Sequence, residues 1–107
     1  MSYKTEFGLD FNLGFDLSEY PLLIDKSWHN DVCPSFYFRV GGEYFVLWVD
    51  FEDPYRREYD IARYAVVSAE NLGCDESPDI VCGENGIDMF RTDDAHSLAA
   101  YLNSHIH

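Results

Sequence analysis

The stretch SFYFRVGGEYFVLWVDF, residues 35–51, decides how this chain folds. Two runs rich in aromatic and β-branched residues flank Gly41-Gly42, and a two-glycine loop suits a tight hairpin whose central positions call for positive φ. The second arm is apolar at every position from Phe45 to Val49. A strand apolar on both faces reads as a central strand, covered on at least one side by another element. The hairpin is therefore the middle of an antiparallel sheet, and the rest of the chain is arranged around it.

On the N-terminal side, residues 18–35 (SEYPLLIDKSWHNDVCPS) carry Pro21 and Pro34 as breakers and no sustained period. They read as a long connection with a short strand or helical turn around residues 22–25. Before it, FGLDFNLGFDL, residues 7–17, alternates cleanly. A period of two predicts an amphipathic strand, with Phe7, Leu9, Phe11, Leu13, Phe15 and Leu17 inward and Gly8, Asp10, Asn12, Gly14 and Asp16 outward.

On the C-terminal side, Asp53-Pro54 interrupts the pattern, and IARYAVVSA, residues 61–69, resumes as a strand. A short helix is its rival there, because Ala62 and Ala65 favour helix. Residues 70–79 read as loop, and residues 79–90 (DIVCGENGIDMF) as a second hairpin with Asn85-Gly86 at its tip. The last segment predicts a helix with Thr92 as N-cap and Asp93 and Asp94 in its first turn. Leu98, Tyr101, Leu102 and Ile106 form its apolar stripe. The expected class is α+β: one domain over residues 1–107, an antiparallel sheet of about five or six strands, and one C-terminal helix packed on one face.

Charge bounds the function. Twenty acids face seven Lys and Arg, for a net charge of −13. Direct nucleic-acid binding and docking on an anionic membrane are disfavoured, since both need clustered Lys and Arg. A basic protein surface is the natural partner. The charge is uneven: residues 68–107 hold eight acids against Arg91 alone, whereas Arg39, Arg56, Arg57 and Arg63 lie in the middle. The longest apolar run, YFVLWV, is strand-length and far short of the ~20 residues of a membrane span. The start of the chain lacks the apolar core of a leader. Three cysteines at no recognisable spacing suit reduced thiols and a cytoplasmic setting.

Candidate chemistry is sparse. Asp10, Asn12, Gly14 and Asp16 suggest a calcium loop by composition, but a strand face spreads such oxygens ~6.6–7 Å apart, too far to share one ion. His29, Asp31 and Cys33 are ligand types at alternate positions, without the second pair that a structural zinc needs. Cys33 with His29 or His96 lacks any flanking signature of a nucleophile and its base. In DPYRREYD, Arg56–Glu58 and Arg57–Asp60 read as local pairs. No catalytic residue, metal or cofactor is assigned. What remains is acids interleaved with aromatics, a pattern in which carboxylates stand in for phosphates and Tyr and Trp act as anchors. The partner-binding candidates are Asp75, Glu76, Asp79, Glu84, Asp88, Asp93 and Asp94, with Asp10 and Asp16 added from the first predicted strand.

In size, acidity, aromatic content and small α+β layout, the whole chain is similar to phage-encoded anti-CRISPR proteins and other nucleic-acid-mimicking inhibitors. It also resembles the immunity proteins that neutralise nuclease toxins. The likeness is one of general character and rests on no motif. It implies a stoichiometric inhibitor in the cytoplasm of a bacterial host cell, not an enzyme, which blocks the basic surface of a CRISPR effector or nuclease. An immunity protein is the first alternative; a small metal-dependent or cysteine enzyme built on His29, Asp31 and Cys33 is the second. An exposed edge strand would also let the sheet pair with its copy as a homodimer.

Overall fold

The computed structural model describes residues 7–8, 11–27, 33–57, 62–74, 76–81 and 88–105. Its strands are β1 (Ile24–Asp25), β2 (Ser35–Val40), β3 (Glu43–Val49), β4 (Tyr64–Asn71), β5 (Ile80–Val81) and β6 (Asp88–Thr92), followed by helix α1 (Ala95–His105). The hairpin at residues 35–51 forms where expected, with β2 and β3 in register from Ser35↔Trp48 to Val40↔Glu43. Gly41 takes φ 62°, the left-handed conformation that a side chain would oppose. The sheet is antiparallel in the order β1-β2-β3-β4-β5, with β6 also on β4. β3 is thus an interior strand, as its unbroken apolar run requires. The short β1 answers the expected strand near residues 22–25, and β4 settles the choice at residues 61–69 for strand.

One face of the sheet carries the core. Phe36, Phe38, Leu47, Val49, Tyr64 and Val66 point into it, covered by Leu98 and Leu102 of α1 and by Leu13, Tyr20 and Leu23 of the N-terminal segment. On the opposite face Tyr37, Tyr44 and Trp48 are half-buried around a buried Val46. Lys26 lies 5.7 Å over the Trp48 ring, and Arg39 lies 5.5 Å over Tyr44. Such stacking lets the aliphatic stems of the cations cover aromatic surface.

Three expectations are corrected. Residues 7–17 do not form a strand: none of their described residues pairs with the sheet, and Leu17 opens a 3-10 turn, Leu17–Glu19. The outward positions explain why. Asn12 Oδ1 accepts from the Gly14 amide at 2.8 Å, and Asp16 Oδ1 accepts from the Ser18 amide and hydroxyl. Short polar side chains that capture nearby backbone donors compete with a ladder and turn the chain. Gly14 bends it at φ 82°. The apolar positions still serve the core, with Leu13 buried and Phe11, Phe15 and Leu17 packed against it; Leu9 and Asp10 lie outside the described residues.

Among the described residues the second hairpin is not seen either. β5 and β6 do not pair with each other but lie one after the other along the same edge of β4, Asn71↔Ile80 and Glu70↔Val81, then Val67↔Asp88 to Tyr64↔Thr92. Asn85 and Gly86 fall outside the described residues. The hairpin is instead β4–β5, closed by the segment expected to be plain loop. Leu72 donates to the Asp79 carbonyl at 2.8 Å, and Asn71 Oδ1 accepts from the amides of Gly73 and Asp79.

Third, Asp94 rather than Thr92 caps α1. Its carboxylate accepts from the amides of His96 and Ser97, while Thr92 ends β6. A carboxylate at this position satisfies amides that the helix leaves unpaired and meets the positive end of its dipole. Leu98, Tyr101 and Leu102 form the expected stripe, with Tyr101 stacked on Phe90 at 4.4 Å; Ile106 lies outside the described residues.

Candidate functional site

β4 separates two polar ends of the molecule. At the Tyr64 end the acids are engaged with their own fold. Asp93 Oδ1 accepts from the Arg63 amide at 2.7 Å and from Arg57 Nη1 at 3.0 Å. Arg57 also donates to the carbonyls of Phe51 and Glu52. Glu58 and Asp60 themselves lie outside the described residues. Arg63 Nη2 donates to the Asn12 carbonyl at 2.8 Å, and the buried Tyr64 hydroxyl donates to the Leu13 carbonyl at 2.6 Å. Together these bonds strap the N-terminal segment across the sheet. The Arg63 amide, aided by Arg57, holds the Asp93 carboxyl below its ordinary range. The Ser97 hydroxyl, with the amides of His96 and Ser97, does the same for Asp94, and the Ser18 hydroxyl and amide do so for Asp16.

The Asn71 end differs. Continuing the register Tyr44↔Ala69 by one step sets Glu43 of β3 opposite Glu70 of β4. Both line a groove of about 670 Å³ with Phe45, Ser68, Leu72 and Met89. A smaller recess of about 170 Å³ continues it over Phe38, Val40 and Tyr101, sharing Phe45 and Met89 with the groove. The floor is fixed by packing: Phe38 and Phe45 stack at 5.4 Å, and Phe90 and Tyr101 at 4.4 Å. Burial pushes the Tyr101 hydroxyl pKa up. Met89 sits where the β4–β6 register slips between Val66 and Val67, and such an irregularity re-aims a side chain. It is 47% exposed, and Leu72 and Val40 beside it are 66% and 38% exposed. Three of the large exposed hydrophobics therefore meet at one end of the protein.

Carboxylates stand at this apolar floor and on the loop next to it. Glu43 and Glu70 stand at the groove, and Glu76 and Asp79 are exposed on the β4–β5 loop that follows. Among the described residues the ion pairs Arg57–Asp93 and Arg91–Asp88 involve none of these four carboxylates. Like charges directly opposite one another on neighbouring strands are destabilising. Asp88, next to Met89, is balanced by Arg91 at 2.6 Å.

The structure thus divides the acids singled out from the sequence. Glu76, Asp79 and Asp88 are exposed along the β5–β6 side of β4. Asp93 and Asp94 lie past the Thr92 end of β6, and Asp16 caps a turn in the N-terminal segment. Asp10, Asp75 and Glu84 lie outside the described residues, as do His29 and Asp31. Cys33 is buried and Cys74 exposed. Among the described residues no three His, Cys, Asp or Glu side chains gather as a metal site. Glu43, Glu70 and Met89 escaped sequence reasoning. Glu43 follows the glycine turn and Glu70 closes a strand, but only the β3–β4 register brings them together.

Comparison of the chain with family models, curated proteins and solved structures finds no match.

Proposed function

We propose that this chain is a stoichiometric, non-catalytic protein inhibitor of the anti-CRISPR or nucleic-acid-mimic type, which covers a basic nucleic-acid-binding surface of its target. The observation that carries the reading is the Asn71 end of the sheet: Glu43 and Glu70 at an exposed apolar floor, with Glu76 and Asp79 on the adjoining β4–β5 loop, none of them ion-paired among the described residues. Adjacent strands lie ~4.8 Å apart, well inside the ~10 Å Debye length at 0.1 M salt, so the two groove glutamates act on an approaching cation as one field. The net charge of −13 adds long-range attraction, which raises association toward ~10⁸–10⁹ M⁻¹s⁻¹ at low salt. Apolar contact then slows dissociation, which acids alone do poorly in water. The target's Lys and Arg, once paired with carboxylates, are no longer open to phosphates.

The test is a panel of purified RNA-guided nucleases and nuclease toxins, the latter covering the immunity-protein alternative. Nucleic-acid cleavage and duplex binding are measured against added inhibitor. Inhibition is expected to saturate at one equivalent and to weaken at least tenfold between about 50 and about 200 mM salt. The variant Glu43→Gln/Glu70→Gln/Glu76→Gln/Asp79→Asn is expected to lose most of it through slower association. A panel with no inhibited member, or inhibition unchanged in the folded quadruple variant, overturns the reading.

A further inference from the structure

We infer that the groove over Phe45 and Met89 takes a basic amphipathic helix of the partner, with an apolar side chain in the recess and Lys or Arg over Glu43 and Glu70. The inference rests on the inhibitor reading above and specifies how contact is made. Its first ground is chemistry. Phosphates and anionic lipid are repelled by the rim and gain nothing from an apolar floor. A second copy of this chain would set Glu43 and Glu70 against like charge, on a molecule already at −13. A segment both apolar and cationic satisfies rim and floor together.

The second ground is backbone accounting. The groove is built on β3 and β4, both interior: β3 lies between β2 and β4, and β4 between β3 and the β5–β6 edge. Between β3 and its two neighbours the amides and carbonyls are paired along the ladder, so an incoming strand finds nothing to extend there. A helix satisfies its own backbone and needs only side-chain contact. Phe45 and Glu43 lie two residues apart on one strand, ~6.6–7 Å along it. That span suits side chains three or four residues apart on one helix face, whose Cβ atoms are ~5–6 Å apart.

The experiment titrates isotope-labelled protein with three synthetic helical peptides of equal length, followed by amide and methyl NMR shifts. One peptide carries Leu at i, i+3, i+4 and i+7 with Lys on the flanks. The second keeps every Lys but replaces Leu with Ala; the third keeps Leu and replaces Lys with Glu. The first is expected to bind at least tenfold tighter than the second, with the third silent and shifts centred on Phe45, Ser68, Glu70, Met89 and Tyr101. Met89→Gln and Glu43→Gln/Glu70→Gln, each checked for an unchanged fold by the free spectrum, are expected to weaken the first peptide at least fivefold. Equal binding of both cationic peptides overturns the groove while leaving the basic-partner reading intact. Binding by neither overturns both. Shifts centred on Tyr37, Tyr44 and Trp48, or concentration-dependent groove shifts without peptide, also overturn the assignment.

Discussion

Gly14 shows how one residue governs the N-terminal segment. Its φ of 82° is left-handed, and a methyl group there would overlap the Tyr64 hydroxyl and crowd Arg63 Nη1. Those two side chains hold the Leu13 and Asn12 carbonyls, so the space that glycine vacates is the space the strap needs. Gly14→Ala is expected to destabilise the fold by more than ~1 kcal/mol, since conformational strain and steric conflict act together. Tyr64→Phe, which removes one hydrogen bond and little volume, is expected to cost about 1 kcal/mol. Urea denaturation of both variants checks the order; a neutral Gly14→Ala would mean that the strap contributes little.

At the scale of elements, α1 rests on its cap and its stripe. Asp94→Ala is expected to speed amide exchange at His96 and Ser97, whereas Asp94→Asn, which keeps an acceptor oxygen, leaves most of that protection. Asp16, Asp93 and Asp94 all have carboxyls held below the ordinary value of 3.8. A depressed folded pKa contributes stability that is present above the unfolded value and is lost as pH falls through the folded one. The denaturation midpoint is therefore expected to drop below about pH 4, with a shallower drop in Asp93→Asn/Asp94→Asn; an unchanged slope would remove these acids as the cause. Which elements were legible follows from the same physics. The hairpin at residues 35–51 and the stripe of α1 show in the sequence because local pattern and tertiary burial agree there. Residues 7–17 misled because an apolar alternation also suits a segment whose polar positions turn back on their own backbone. The β5–β6 edge misled because Asn-Gly signals a local turn but cannot name the strand to which its flanks pair. The groove was invisible for a related reason: Glu43 and Glu70 meet only through register.

For the molecule as a whole, charge acts in two opposite directions. At −13 the folded chain repels itself, so added salt is expected to raise its melting temperature between about 0.01 and about 0.2 M while weakening capture of a basic partner over the same range. A melting temperature that falls instead would mean that attractive contacts such as Arg57–Asp93 outweigh the repulsion. The strap has a further meaning in time. The β2–β3–β4 meander joins neighbours in sequence, whereas Asn12 and Leu13 reach Arg63 and Tyr64 across 51 residues. Closing so long a loop is slow and yields nothing until the sheet exists to receive it. The segment is therefore expected to dock after the barrier is crossed. The deficit of Gly14→Ala then belongs in the unfolding limb of a chevron plot, so the strap acts as a latch that sets how long the folded protein lasts rather than how fast it forms.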